Sequence, residues 1–453
     1  MRTIIEGKAY ISKLLGKQRI KDGVQYRQML YLLSKECEDG LLLHNVITGQ
    51  TVLLNYEERS IFKALPLFLS EIMIPLIENY FIVPVEFEEK FFVQNFRKLL
   101  RHLITPKGIK QYSILTTTNC NARCFYCFQS GYPRINMDKE TADLLVNYMI
   151  RHKVKGPLYI VWFGGEPLVC AGIITHICEK LECNQIEFKS VMISNGYLFT
   201  EKLVDDAANK WNLRRVQITL DGTEEVYNRT KAFVSAADNP YRQVLNNIEI
   251  LLSRKIHVNI RLNLGNHNSK DLFALVEELH RSIHHQDYLK VYAQVLFEHE
   301  SFTHSDYGES AVKELYQVQK ELNYRLKELG LYKEGELPSL RYHKCMADTE
   351  AAVAVYPDGK LFKCEHTIIG DEFGTISSDR ENEEIIKAYS EPYEISGCGI
   401  CPIYPYCIRL KKCIHASEET TSVICRQEVQ RMTELLELKY KQCNAHHDNV
   451  DNK

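Results

Sequence analysis

From Tyr112 onward, short apolar runs alternate with stretches in which apolar residues recur at helical spacing. The runs Tyr112–Thr117, Leu158–Phe163, Glu187–Ser194, Arg215–Leu220, His257–Leu264 and Leu289–Leu296 have the length and apolar content of strands. Helical patterns lie between them. Asp138 is placed to cap one whose Ala142, Leu145, Val146, Met149 and Ile150 share a face; others run over Ile173–Leu181, from Glu201, over Val244–Leu252 and over Leu272–Ile283. Six strands alternating with helices predict an α/β fold, a parallel partial (β/α)6 TIM-like barrel. Functional residues are then expected in the loops at the strands' C-terminal ends.

The residues before the barrel follow a different pattern. Gln28–Ser34, Leu41–Asn45 and Thr51–Leu54 read as strands, with turn signals at Glu38-Asp39-Gly40 and Thr48-Gly49. Asn55 with Glu58 three residues later makes an N-cap pair for a helix through Ala64, and helical stretches follow near Phe68–Leu76 and Phe91–Leu100. Beyond the barrel, Gln427–Gln442 reads as a helix and Asn444–Lys453 as a disordered tail. The expected domains are 1–105, a small α+β module; 106–330, the barrel; 331–430, a cysteine-rich region; and 431–453, the end of the C-terminal helix and the tail.

Composition changes this picture in one respect. A net charge of -3 gives no nucleic-acid footprint. The most apolar stretch, Ile61–Ile77, is broken by Lys63, Pro66, Ser70, Glu71 and Pro75, so no bilayer span is expected. Residues 1–20 lack the apolar core of a signal peptide, which predicts a cytoplasmic protein. The 15 cysteines are the abnormal feature. In a reducing compartment, clustered thiols favour metal binding or catalysis over disulfides.

Three of them form Cys120-x3-Cys124-x2-Cys127 just after the first barrel strand. Three thiolates on one loop can hold three irons of a [4Fe–4S] cube and leave the fourth open. Tetrahedral zinc is the rival occupant. Gly164-Gly165-Glu166-Pro167 follows the second strand, Ser194-Asn195-Gly196 the third and Leu220-Asp221-Gly222 the fourth. The two glycines permit close backbone approach to a ligand, and Glu166 offers a carboxylate to an ammonium group.

In this order at successive strand ends, these motifs closely resemble those of the radical S-adenosylmethionine superfamily. The resemblance implies that Cys120, Cys124 and Cys127 bind a catalytic [4Fe–4S] cluster. It further implies that Gly164, Gly165 and Glu166 meet the methionine amino group of S-adenosylmethionine and that Tyr126 lies near the adenine. Ser194, Asn195 and Asp221 match cofactor-contacting positions, and Arg229 matches an arginine near the methionine carboxylate. The expected chemistry is reductive cleavage of S-adenosylmethionine to methionine and a 5′-deoxyadenosyl radical, which abstracts hydrogen from a C–H bond.

Seven further cysteines lie between Cys345 and Cys425. Their spacing resembles the SPASM domain, an extension with two auxiliary [4Fe–4S] clusters, so three clusters are expected in all. By that resemblance Cys398, Cys401, Cys407 and Cys425 hold the distal cluster, and Cys345, Cys364 and Cys413 hold three corners of the proximal one. Cys407 and Cys413 are separated by five residues where the family usually has three, and an early cysteine that completes the proximal cluster in some members is missing. The proximal cluster then either keeps an open iron for a substrate thiolate or is closed by another side chain.

The N-terminal module looks like a winged-helix-like recognition domain that binds a leader peptide along a sheet edge. The domain order resembles that of maturases of ribosomally made, post-translationally modified peptides, in particular the sactipeptide and ranthipeptide type that forms thioethers. Implied partners are a precursor peptide with its leader and a flavodoxin- or ferredoxin-type electron donor. Carbon–carbon cross-linking and formylglycine formation of the anaerobic sulfatase-maturase type are alternative outcomes, and a non-catalytic metal- and peptide-binding protein is the alternative of another class. Glu298, just after the sixth strand, is a further candidate substrate contact.

Overall fold

The computed structural model describes residues 1–234, 239–296, 309–366, 369–378, 380–407 and 418–450. Cys413 and Glu298 lie outside them. The chain divides into two compact units. One comprises Met1–Thr105, Gly335–Lys344 and Glu391–Lys453; the other comprises Pro106–Glu334 and Cys345–Ser390.

The second unit is built on one nine-stranded sheet. Its parallel strands are β1 (Gln111–Thr117), β2 (Leu158–Gly164), β3 (Phe188–Ser194), β4 (Leu213–Leu220), β5 (His257–Leu264) and β6 (Leu289–Val295), followed by β7 (Ala352–Val355), β8 (Lys360–Phe362) and β9 (Gly374–Thr375). The order across the sheet is β6-β5-β4-β3-β2-β1-β7-β8-β9. Each of β1 to β6 therefore pairs with its neighbour in sequence, the commonest arrangement for consecutive strands. The strands β1 to β6 make the partial (β/α)6 barrel that the alternation predicts, and β7 extends it by pairing parallel to β1.

Helices α1 (Lys139–Arg151), α2 (Ala171–Cys183), α3 (Glu201–Asn209), α4 (Pro240–Ser253), α5 (Asp271–Ser282) and α6 (Glu309–Glu328) cover one face of the sheet. The helix start predicted at Asp138 is present, its side chain accepting the Thr141 amide at 2.7 Å; such a cap contributes about 1 kcal/mol. Alternate strand residues such as Ile114, Trp162, Met192, Val216, Ile260 and Val291 are buried against these helices. The other face carries Ser113, Val161, Val191, Gln217, Asn259 and Tyr292, which are more polar towards β4–β6. The six apolar runs placed every barrel strand to within two residues. They did not reveal α6 or the short helix Glu224–Lys231.

In the first unit, strands Arg2–Ile5, Leu32–Cys37, Gly40–Asn45 and Thr51–Leu54 form an antiparallel sheet with Leu32–Cys37 at one edge. The run 28–34 is split by a break before Leu32, and its first part belongs to Gln25–Gln28, in a separate three-stranded sheet. The capping box read from Asn55 and Glu58 is present at the start of Tyr56–Ala64. The stretch near Phe68–Leu76 is only partly helical: it divides into the strand Leu67–Phe68, the 3-10 turn Glu71–Met73 and the helix Ile74–Glu78, with Pro75 in the first turn of that helix. The C-terminal helix spans Glu418–Val450 and so continues past Asn444, where a disordered tail was expected.

Candidate functional site

Four loops meet at the C-terminal mouth of the barrel. The first carries Cys120, Cys124 and Cys127, which are free, half-buried thiols. Burial raises the Cys120 thiol to about 11, and Glu166, Cys124 and Cys127 push it in the same direction. The three sulfurs are thus within electrostatic reach of one another. Among the described residues no three His, Cys, Asp or Glu side chains converge closely enough to hold a single metal ion. A cube places each thiolate on a different iron, so its ligands stand farther apart than those of one tetrahedral ion. Three partly exposed thiols on one loop suit such a cluster.

Gly164 and Gly165 bring the second loop against the first. Gly164 has φ +126, and a Cβ on it would lie 2.2 Å from the Thr117 carbonyl oxygen. On Gly165 a Cβ would lie 2.2 Å from the Asn119 oxygen and 2.7 Å from that of Thr118. The close approach that these glycines permit is therefore to the backbone leading into Cys120. It is closed by Gly165 N donating to Thr117 O and Glu166 N to Asn119 O, both at 2.9 Å.

Glu166 is fully buried and ties the second loop to the third. Its carboxylate accepts from Leu168 N at 3.1 Å, Ser194 Oγ at 2.9 Å and Asn195 N at 2.8 Å. Burial pushes its carboxyl up to about 7, against the pull of those three donors. Asn195 continues the chain of contacts: its Nδ2 donates to Asn121 Oδ1 at 2.7 Å and lies 3.9 Å from Cys120 Sγ. The third-strand motif is thus joined directly to the cysteine loop.

The fourth loop contributes Asp221, also fully buried. Its Oδ2 accepts from the Tyr126 hydroxyl at 3.0 Å and pairs with Lys231 Nζ at 3.0 Å, and Lys231 Nζ lies 2.9 Å from the Tyr126 oxygen. Burial, the largest single influence, would lower the Lys231 ammonium, but Asp221, Tyr126, Cys124 and Tyr227 together outweigh it, so Lys231 is held well above its ordinary value. Burial and then Asp221 raise the Tyr126 hydroxyl. Two backbone bonds add to this anchor: Arg123 N donates to Lys231 O at 2.8 Å and Val234 N to Asn121 O at 2.7 Å. Lys231 carries no motif and sequence reading missed it; its position ten residues after Asp221, on a helix, gave no signal. Arg229 stands apart, its side chain 65% exposed and 3.8 Å from Glu225.

The remaining cysteines fall in both units. Cys345 and Cys364 belong to the barrel unit; Cys345 is exposed and Cys364 half-buried. In the other unit, Cys398 opens a short 3-10 turn, Cys398–Ile400, after Gly397 at φ +86. Cys401 is raised by burial first, and then by Cys407, Cys425 and Cys398, so these four sulfurs share one neighbourhood. That grouping is the set assigned to the distal cluster. The segment is held by buried Arg97, which donates to the carbonyls of Tyr404, Pro405 at 3.0 Å and Cys407 at 3.1 Å.

The strand-end loops of a parallel barrel thus converge on the loop that carries three thiols. Residues 114–279, which run from within the first barrel strand past the fifth, match the Radical SAM superfamily. A match to that family over these residues implies S-adenosylmethionine and a [4Fe–4S] cluster. A probable GTP 3′,8-cyclase of Methanococcus aeolicus is 33% identical over 131 residues, 27% of this chain and 41% of that one. The chain spans about two fifths of the length of the curated relatives it matches. Among solved structures, native anSMEcpe with bound AdoMet superposes with a TM-score of 0.55 at 14% identity, over 72% of this chain and 99% of that one. Streptococcus suis SuiB bound to S-adenosylmethionine gives 0.50 at 14% identity, over 84% and 94%. At such identity these likenesses show the fold. Among the described residues no helix is long and apolar enough to cross a membrane.

Proposed function

We propose that this chain is an enzyme, a radical S-adenosylmethionine peptide maturase that installs a cross-link, a cysteine thioether, in a ribosomal precursor peptide. The observation that carries the reading is the locked set of four loops around Cys120, Cys124 and Cys127 at the barrel mouth. Those three residues would hold the catalytic cluster, which supplies the electron that splits S-adenosylmethionine into methionine and a 5′-deoxyadenosyl radical. Glu166, Ser194 and Asn195 would orient the methionine end, and Tyr126 the adenine. Asp221 and Lys231 hold the Tyr126 hydroxyl. The barrel walls keep water and competing hydrogen donors away from the substrate carbon.

Cys398, Cys401, Cys407 and Cys425 would hold one auxiliary cluster, and Cys345, Cys364 and Cys413 three corners of another. An open corner there would present a substrate thiolate for the carbon–sulfur bond. A peptide substrate is supported by the anSMEcpe structure with bound AdoMet and Cp18Cys peptide, a likeness with a TM-score of 0.53 at 14% identity. The first unit supports a leader site: Leu32–Cys37 is a sheet edge, beside a groove of about 440 Å³ lined by Ser34, Lys35, Leu41 and Phe62 among others. A flavodoxin or ferredoxin would deliver the electron.

The test is anaerobic reconstitution with iron and sulfide, followed by reductant and S-adenosylmethionine. Release of 5′-deoxyadenosine with about 12 irons per chain is expected, as three cubes require. Stoichiometric zinc without 5′-deoxyadenosine release would refute the enzyme. Mass analysis of a cysteine-containing precursor peptide from a neighbouring reading frame then separates a thioether from a carbon–carbon bond or formylglycine.

A further inference from the structure

The face of the barrel sheet that points away from the helices is cationic below its mouth. Strand register places Ile193, Gln217, Asn259 and Lys290 side by side, and Thr219, Arg261 and Tyr292 in the next layer towards the mouth. Arg215 lies one layer below, next to Val191, and Lys189 lies beside Tyr159 on the same face. From β2 to β6 these inward positions hold four cations, Lys189, Arg215, Arg261 and Lys290. The one carboxylate is Asp221 at the rim, already paired with Lys231.

None of the four cations forms an ion pair among the described residues. The Arg261 Nε is buried without a hydrogen-bond partner. Beside it the Tyr292 hydroxyl donates to Gln217 Oε1 at 2.9 Å. Burial raises that hydroxyl while Arg261 and Arg215 pull it down, so both guanidiniums reach the same part of the wall. A partly desolvated guanidinium with an unsatisfied N–H is costly unless an anion meets it, and its fork matches a carboxylate.

We infer that this wall is a carboxylate-binding surface for the peptide substrate, with Arg261 and Arg215 receiving an acidic side chain or a terminal carboxylate. The inference rests on the peptide-maturase reading and adds the charge of the segment that enters the barrel. S-adenosylmethionine also has a carboxylate, but only one. Inward residues two apart on a strand are separated by about 7 Å, so cations in three successive layers exceed what one methionine end can meet.

The test uses the full reconstituted chain and two fluorescein-labelled pentapeptide amides, Gly-Glu-Cys-Glu-Gly and its glutamine counterpart. Anisotropy should show the glutamate peptide binding at least tenfold tighter, with the preference shrinking as salt is raised. Arg261→Gln and Arg215→Gln should each reduce that preference severalfold, while equilibrium dialysis shows S-adenosylmethionine affinity unmoved. Equal binding of the two peptides to the unmutated protein overturns the inference. So does an Arg261→Gln protein that loses S-adenosylmethionine affinity and keeps the peptide preference, which would assign the site to the cofactor. A protein that shows the preference yet never releases 5′-deoxyadenosine retains this surface and loses the proposed activity.

Discussion

Lys231 Nζ and Asp221 Oδ2 lie 3.0 Å apart, with side-chain exposures of 4% and 0%, and the Tyr126 hydroxyl bridges them. A buried pair of this kind costs desolvation on both sides, and removing one partner strands the other charge. Lys231→Met should therefore lower unfolding stability by about 3 kcal/mol, read as a lower urea midpoint with an unchanged slope. The double variant with Asp221→Asn should recover part of that loss, since no charge is then left unpaired.

Gly165→Ala places a methyl group where the Asn119 carbonyl oxygen stands. Both neighbours are backbone, so the loop carrying Cys120 must move. The expected result is a folded protein with near-native circular dichroism that takes up fewer irons on reconstitution, deficient in one cube relative to the unmutated chain. Full iron content and normal 5′-deoxyadenosine release would show that the packing of these two loops is not what positions the thiols.

His44 gives a pH dependence with a defined sign. It is fully buried in the first unit, with Nδ1 2.9 Å from Thr51 Oγ1 and Nε2 donating to Pro338 O at 2.6 Å. Burial lowers it to about 4 from an ordinary 6.5. The folded state therefore binds this proton less tightly than the unfolded one. Its contribution is complete above pH 6.5 and declines as pH falls towards 4, to an extent of about 3 kcal/mol at most. His44→Gln should flatten the stability profile over that interval in denaturant titrations.

The two groups of cysteines should separate in their effects. Cys124→Ala should abolish 5′-deoxyadenosine release, at least a hundredfold below the unmutated rate. Cys398→Ala should leave part of that release while product cross-links disappear, because it belongs to the neighbourhood of Cys401, Cys407 and Cys425. Normal turnover by the Cys124 variant would remove the catalytic cluster from its assigned loop.

The helix cap at Asn55 is a small, local test. Its side chain accepts the Glu58 amide at 2.9 Å while Glu58 Oε2 accepts the Asn55 amide at 3.0 Å. Asn55→Ala should cost about 1 kcal/mol in urea unfolding of the first unit.

Local chemistry made much of this protein legible from its chain. The six barrel strands, the caps at Asn55 and Asp138, and the cysteine and glycine motifs are all written within a few residues of one another, where periodicity and turn chemistry operate. The sequence also placed Glu166, Ser194 and Asn195 at successive strand ends, but not the hydrogen bonds that join them. Those depend on parallel strands lying side by side, which no local pattern records. Lys231 became a site residue only because the helix after Asp221 returns beneath the cysteine loop. Arg229, two residues earlier on the same helix, points to solvent for the same geometric reason. The cationic wall is likewise a product of register: Arg215, Arg261 and Lys290 are far apart in sequence, and only strand pairing sets them on one face.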